Sequence, residues 1–192
     1  MKKILFYLLL PLFSIAQQSE EKKITGEIKS NLFDLVVGKS FNVGYEHFLK
    51  GNQALQFDVT LFDTYSYLDA GYLDENNLVG LQASYNIYFS KNKNYHGFSF
   101  YPFVKYRTGK QIISDYYYTY NPDTDSYAEG SREFDLSGLE VGFGLSHKWL
   151  FNEKISLGIG AQIGRNLNSN REFSDNYSEI DFKAHVTLGI RL

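Results

Sequence analysis

Ten ionisable residues recur at alternate positions on segments whose opposite face is apolar. They are Lys29, Glu46, Asp58, Lys105, Arg107, Glu140, Lys148, Asp181, Lys183 and Arg191, six cationic and four anionic. Charges of both signs on one face of a sheet can pair into a network or line a path for ions. A buried charge costs several kcal/mol unless it is paired and hydrogen-bonded. A salt-bridged filling is therefore the first expectation, and a narrow pore for small solutes the alternative. Lipid hydrolysis would need Ser, His and an acid on one patch at the lipid surface. Ser146 precedes His147, but neighbouring strand residues point to opposite faces, and no G-x-S-x-G elbow occurs. His47 and His147 fall on the apolar phase, His147 beside Trp149 in an expected aromatic girdle. His185 falls on the polar phase near Asp181 and Lys183, and His96 lies in a turn. No catalytic residue is expected. Asp123 and Asp125 could meet calcium, but the twelve-residue EF-hand spacing is absent, so neither metal nor cofactor is expected. The chain has no cysteine, which excludes thiol catalysis, cysteine metal sites and disulfides.

The elements that must position these charges are strands. The last one alternates from Ile180 to Leu192: Ile180, Phe182, Ala184, Val186, Leu188, Ile190 and Leu192 on one face, Asp181, Lys183, His185, Thr187, Gly189 and Arg191 on the other. Similar alternation over 54–62, 78–89, 155–164 and most of 134–149 predicts further strands. Less regular segments at 28–37, 41–48 and from 98 through 107 bring the count to eight. Pro102 predicts a bulge or strand end, since proline cannot donate to a ladder. A phase slip at Ser137-Gly138 predicts a β-bulge. Predicted connections alternate: short after the second, fourth and sixth strands, long at 63–77, 112–132 and 166–176, with the tight turn 38–40 as the departure. Alternating short and long connections are the outer-membrane barrel pattern. The predicted fold is all-β, a transmembrane antiparallel up-and-down β-barrel of eight strands, with an interior just wide enough for side chains to fill.

Residues 1–16 read as a signal peptide. Lys2 and Lys3 precede an apolar stretch, and Ser14-Ile15-Ala16 offers small residues before a cut at Gln17. Residues 17–27 read as a loose leader and 28–192 as the barrel. Loss of Lys2 and Lys3 takes the formal charge from −3 to −5. No basic run points to nucleic acid, and no later stretch is long and apolar enough for a membrane-spanning helix. Aromatic residues make up 17% of the chain, with 16 Tyr and 16 Phe, which fits strands. Tyr116, Tyr117, Tyr118, Tyr120 and Tyr127 cluster in the longest predicted loop and form a candidate contact surface, because tyrosine gives rigid contact at low entropy cost.

The runs Ile28-Lys29-Ser30-Asn31-Leu32-Phe33-Asp34 and Phe41-Asn42-Val43-Gly44-Tyr45-Glu46 resemble small outer-membrane barrel proteins of Bacteroidota, which open on K-[ST]-N-L and then an N-[LV]-G-x-E strand. The resemblance implies an eight-stranded barrel of the OmpA and OmpX kind, with Lys29 and Glu46 as a lumen pair. It also implies Sec export to the outer membrane, insertion by the barrel-assembly machinery, and contact with lipid and lipopolysaccharide. The terminal Leu192 departs from the aromatic residue on which such chains usually end. The expected role is structural, adhesive or envelope-stabilising, with a possible protein partner at the outer loops; a lipid-modifying enzyme is the alternative.

Overall fold

The computed structural model describes residues 24–64, 73–91, 94–121, 126–167 and 179–192, with backbone alone for 73–74, 113–121 and 126–132. The expected signal peptide and residues 17–23 of the leader lie outside these. Eight strands close a barrel in which every neighbouring pair is antiparallel: β1 (Gly26–Asn31), β2 (Phe41–Phe48), β3 (Gln53–Leu61), β5 (Val79–Tyr88), β6 (Gly97–Thr108), β9 (Gly138–Phe151), β10 (Ile155–Asn166) and β11 (Ile180–Arg191). The last pairs with the first, Ile28 opposite Ile190. A second sheet, in the order β4-β7-β8, is formed by β4 (Leu73–Asn76), β7 (Lys110–Asn121) and β8 (Ser126–Asp135). The rim holding Gly26 and Leu192 also holds the short turns, and is called the terminal rim; the second sheet stands at the far rim.

The alternation predicted for the strands governs the barrel wall. On β3, Leu55, Phe57, Val59 and Leu61 are exposed while Asp58 and Thr60 are buried. On β6, Tyr101, Phe103, Lys105 and Arg107 are buried while Phe98, Val104 and Tyr106 face out. The outside is apolar and the inside polar.

Several local expectations are corrected. The predicted first strand, 28–37, is a strand only as far as Asn31; Leu32–Val36 is a short helix, α1. Asn31 caps it, accepting from the Phe33 N–H at 3.1 Å and also from the Val186 N–H at 3.1 Å. The helix stands in the wall between β2 and β11, with Val36 outside and Asp34 buried. The broken alternation of this segment was the trace of that change in period, and the far-rim connection after β1 runs from 32 to 40 rather than 38 to 40. Strand β1 also starts at Gly26, so Glu27, expected in the leader, belongs to the barrel.

Pro102 makes neither bulge nor strand end. It faces outward in an uninterrupted β6 and holds register with Phe143 of β9. Only the pairing with β5 lapses between Phe100 and Phe103, and register resumes unchanged. A proline is tolerated here because the ladder loses partners on one side alone. Ser137-Gly138 marks a sheet boundary rather than a bulge: β8 ends at Asp135 and β9 begins at Gly138. Gly109 makes the matching break between β6 and β7 at φ 126°, and a Cβ there would lie 2.4 Å from the Asn77 carbonyl oxygen. The Gly109 N–H donates to the Ser137 hydroxyl at 3.1 Å, and Leu78 and Leu136 are buried together at the bend. The predicted loop 112–132 is therefore a β-hairpin, paired from Lys110↔Asp135 to Asn121↔Ser126, and the predicted loop 63–77 contributes β4 to it. Tyr116, Tyr117, Tyr118 and Tyr120 stand on β7 and Tyr127 on β8, Tyr120 opposite Tyr127; their side chains lie outside the described ones.

Candidate functional site in the barrel interior

All ten lumen charges expected from the sequence are at least nine-tenths buried. The fold sorts nine of them into two clusters, one near each rim. At the terminal rim the organiser is Glu46 on β2. One carboxylate oxygen accepts from the Lys29 ammonium at 2.9 Å and from Lys148 at 2.7 Å. The other accepts from Asn86 at 3.0 Å and from the Tyr88 hydroxyl. Glu27 accepts from Lys148 at 3.2 Å and from the Ser156 hydroxyl at 2.5 Å, and lies 3.6 Å from the Arg191 guanidinium. Arg191 donates to the carbonyls of Asn94 and Tyr95, drawing the turn between β5 and β6 across the opening. Phe48 lies 5.1 Å from that guanidinium and stacks on Tyr95 at 4.3 Å. These contacts close the terminal rim.

Near the far rim the organiser is Asp63. It follows β3, is fully buried, and accepts from Lys105 at 2.5 Å, Arg107 at 2.8 Å and Lys183 at 2.5 Å. Arg107 also reaches Asp181 at 3.0 Å and Glu140 at 3.6 Å. Asp63 enters the lumen because Phe62 takes a left-handed backbone, φ 57°, which ends the alternation of β3. Such a conformation is uncommon outside glycine and persists where the surroundings over-determine it. Here Ser40 donates to the Phe62 carbonyl at 2.6 Å and Thr64 to that of Gly38 at 2.7 Å.

Between the clusters lies a belt of neutral polar side chains. Gln82 and Gln162 exchange amide hydrogen bonds at 3.3 and 3.2 Å. Asp58 is the tenth residue and stands apart, accepting from the Gln56 amide at 2.9 and 2.8 Å. A cavity of about 90 Å³ beside it, bordered by Tyr101, Gln162 and His185, is room for a few waters. The inward glycines admit bulky neighbours rather than leaving space. A Cβ on Gly144 would meet Tyr101 at 2.2 Å, one on Gly160 the His185 ring at 2.4 Å, and one on Gly164 the Glu140 carboxylate at 2.1 Å.

No family model matches this chain. No characterised protein matches its sequence. Among solved structures it is similar to the N-terminal β-barrel domain of Pseudomonas aeruginosa OprF, at 15% identity over 88% of this chain and 98% of that one, with a TM-score of 0.44. It is also similar to Neisserial surface protein A, NspA, at 9% identity over 88% of this chain and 94% of that one, with a TM-score of 0.44. The barrel described above stands on its own strand pairing.

Three interior carboxylates escaped the sequence reading. Glu27 sits two residues before Lys29 and shares its phase, so extending the alternation would have found it. Asp34 sits on α1 and Asp63 follows a left-handed residue, and neither carries a period-two signal. With them, the described interior holds seven carboxylates (Glu27, Asp34, Glu46, Asp58, Asp63, Glu140 and Asp181) against six cations (Lys29, Lys105, Arg107, Lys148, Lys183 and Arg191). Of the histidines, His185 borders the cavity, whereas His47 faces out and the His147 ring stands 4.5 Å from that of Trp149. Ser146 borders the cavity and shares a hydrogen bond with Ser99 at 2.7 Å.

Proposed function

We propose that this chain is an integral outer-membrane β-barrel of the small Bacteroidota kind, non-enzymatic, with a side-chain-filled lumen. Its role is structural or adhesive, exercised at the far rim through the sheet β4-β7-β8. The observation that carries this reading is the inversion of the usual soluble pattern. Large apolar side chains face outward all round the wall, Phe57 and Phe182 among them at 56% and 63% exposure, while the charges are inside. A soluble barrel of lipocalin type would turn its apolar face inward. In lipid every backbone polar group needs a partner within the protein, a condition a closed barrel meets. Phe89, Trp149 and Phe151 toward the terminal rim, with Phe41 and Phe182 toward the far rim, suit interfacial aromatic girdles.

The reading includes Sec export with cleavage after Ala16, insertion by the barrel-assembly machinery, and lipopolysaccharide around the far rim. A partner protein would meet the tyrosine-bearing hairpin. The narrow-pore alternative is weaker because ion-paired side chains occupy both ends of the lumen. A lipid-modifying hydrolase is weaker because Ser146 points inward and His147 outward.

Fractionation tests the proposal. The protein should stay in the membrane pellet through carbonate and high-salt washes and come out only with detergent, and protease added to intact cells should cut within residues 114–131. Release by carbonate sinks the membrane reading. A changed lipid A mass spectrum on gene deletion replaces the structural role with an enzymatic one.

A further inference from the structure

A second cavity, of about 190 Å³, lies at the terminal rim beside the closure made by Arg191, Phe48 and Tyr95. Two ionisable side chains of opposite sign border it, Arg191 of β11 and Glu153 of the turn between β9 and β10. Ile24, Phe48 and Leu150 give it an apolar wall. Arg191 is 9% exposed. A guanidinium carries five N–H donors. The hydrogen bonds this one makes, to the carbonyls of Asn94 at 2.6 Å and Tyr95 at 3.1 Å, both leave from Nη2. Nε is buried without a hydrogen-bond partner, 3.6 Å from the Glu27 carboxylate. That carboxylate already accepts from Lys148 at 3.2 Å and from Ser156 at 2.5 Å. The guanidinium is therefore held through one nitrogen, with donors unspent at the edge of a cavity.

Glu153 is placed by its backbone. Asn152 and Glu153 both take left-handed conformations, φ 49° and 60°, and the Lys154 N–H closes the turn on the Phe151 carbonyl at 3.1 Å. Positive φ at both central positions marks the two-residue hairpin turn whose twist matches its strands. The Glu153 side chain stands exposed at the cavity, and among the described residues it has no ion-pair partner. One cavity thus offers donors for a carboxylate, an acceptor for an ammonium and an apolar wall. Both charged contacts would be charge-assisted hydrogen bonds, the stronger kind. An apolar cavity of about 150 Å³ holds benzene, so this one accepts a valine or leucine side chain with its charged end at the opening. We propose that the cavity binds a free α-amino acid with a branched apolar side chain, its carboxylate on Arg191 and its ammonium on Glu153. The inference uses the geometry of the rim alone and stands whether or not the membrane role proposed above is correct.

The test is isothermal titration calorimetry of the whole protein in detergent, with leucine as the probe and protein-free detergent as the blank. Two analogues each remove one charge: leucinamide lacks the carboxylate and 4-methylpentanoate lacks the ammonium. Leucine should bind saturably, and each analogue should bind at least about tenfold more weakly, the effect of losing one hydrogen bond between charged groups. Glu153→Gln, on an exposed turn, should weaken leucine to the level of 4-methylpentanoate. Arg191→Gln should abolish leucine binding. The absence of saturable leucine binding overturns the proposal, as does equal binding of leucine and leucinamide, or leucine affinity unchanged in Glu153→Gln. Should Arg191→Gln fail to fold, the leucinamide comparison on the native protein decides the role of the guanidinium.

Discussion

At the scale of single residues, two carboxylates organise the interior, and each answers several cations. Removing one leaves the others buried and unmatched. Breaking a buried pair by deleting one partner costs about 3–5 kcal/mol. Asp63→Leu should therefore destabilise the barrel by at least about 3 kcal/mol, because Lys105, Arg107 and Lys183 all lose their shared acceptor. Glu46→Leu should cost a few kcal/mol through Lys29 and Lys148. Urea unfolding in detergent micelles measures both, and a neutral outcome for either would mean that water already reaches the cluster. Of these two acids Glu46 was legible in the sequence, since it shares a strand phase with Asn42 and Gly44. Asp63 was not, because its place depends on one left-handed backbone at Phe62, and that conformation is held by Ser40 and Thr64 from elsewhere in the chain.

At the scale of elements, the boundaries that matter are breaks in period. Helix α1 replaces the upper part of β1, and the bend at Gly109 and Leu136 separates the far-rim sheet from the barrel. Gly109 combines a φ open only to glycine with a close approach to Asn77. Gly109→Val should straighten or unfold the hairpin β7–β8 while leaving the barrel intact. The expected readout is faster protease cleavage within 114–131 with an unchanged barrel melting midpoint; a lowered midpoint would show that the bend also supports the wall. At this bend the Ser137 hydroxyl and N–H hold the exposed Asp135 carboxyl below its ordinary value. A depressed carboxyl stabilises above its unfolded value and loses that contribution as pH falls through the folded one, so hairpin cleavage should quicken on acidification into the carboxylate range. The sequence showed the bend as a phase slip at Ser137-Gly138. It could not show that the slip divides two sheets, because Gly109 and Leu136 meet only after β6 and β9 have paired.

At the scale of the whole molecule, the barrel is filled: Arg191, Phe48 and Tyr95 close one rim, the Asp63 cluster occupies the other, and an amide belt lies between. Reconstituted into planar bilayers, the intact protein should show no steady ion conductance; a stable conducting level would overturn the filled reading. The sequence by itself determined the eight strands of the barrel, their outward and inward faces, and ten of the thirteen interior charges among the described residues. All three follow from the period of two, which fixes side-chain direction along a strand before any partner is present. Only the tertiary structure decided which charges meet, since ion pairs such as Lys148 with Glu27 join residues 121 positions apart. It alone turned the inward glycines into sockets, closed the rims, and brought Asp34 and Asp58 beside one cavity. Period records direction, whereas contact depends on closure and register around the whole barrel.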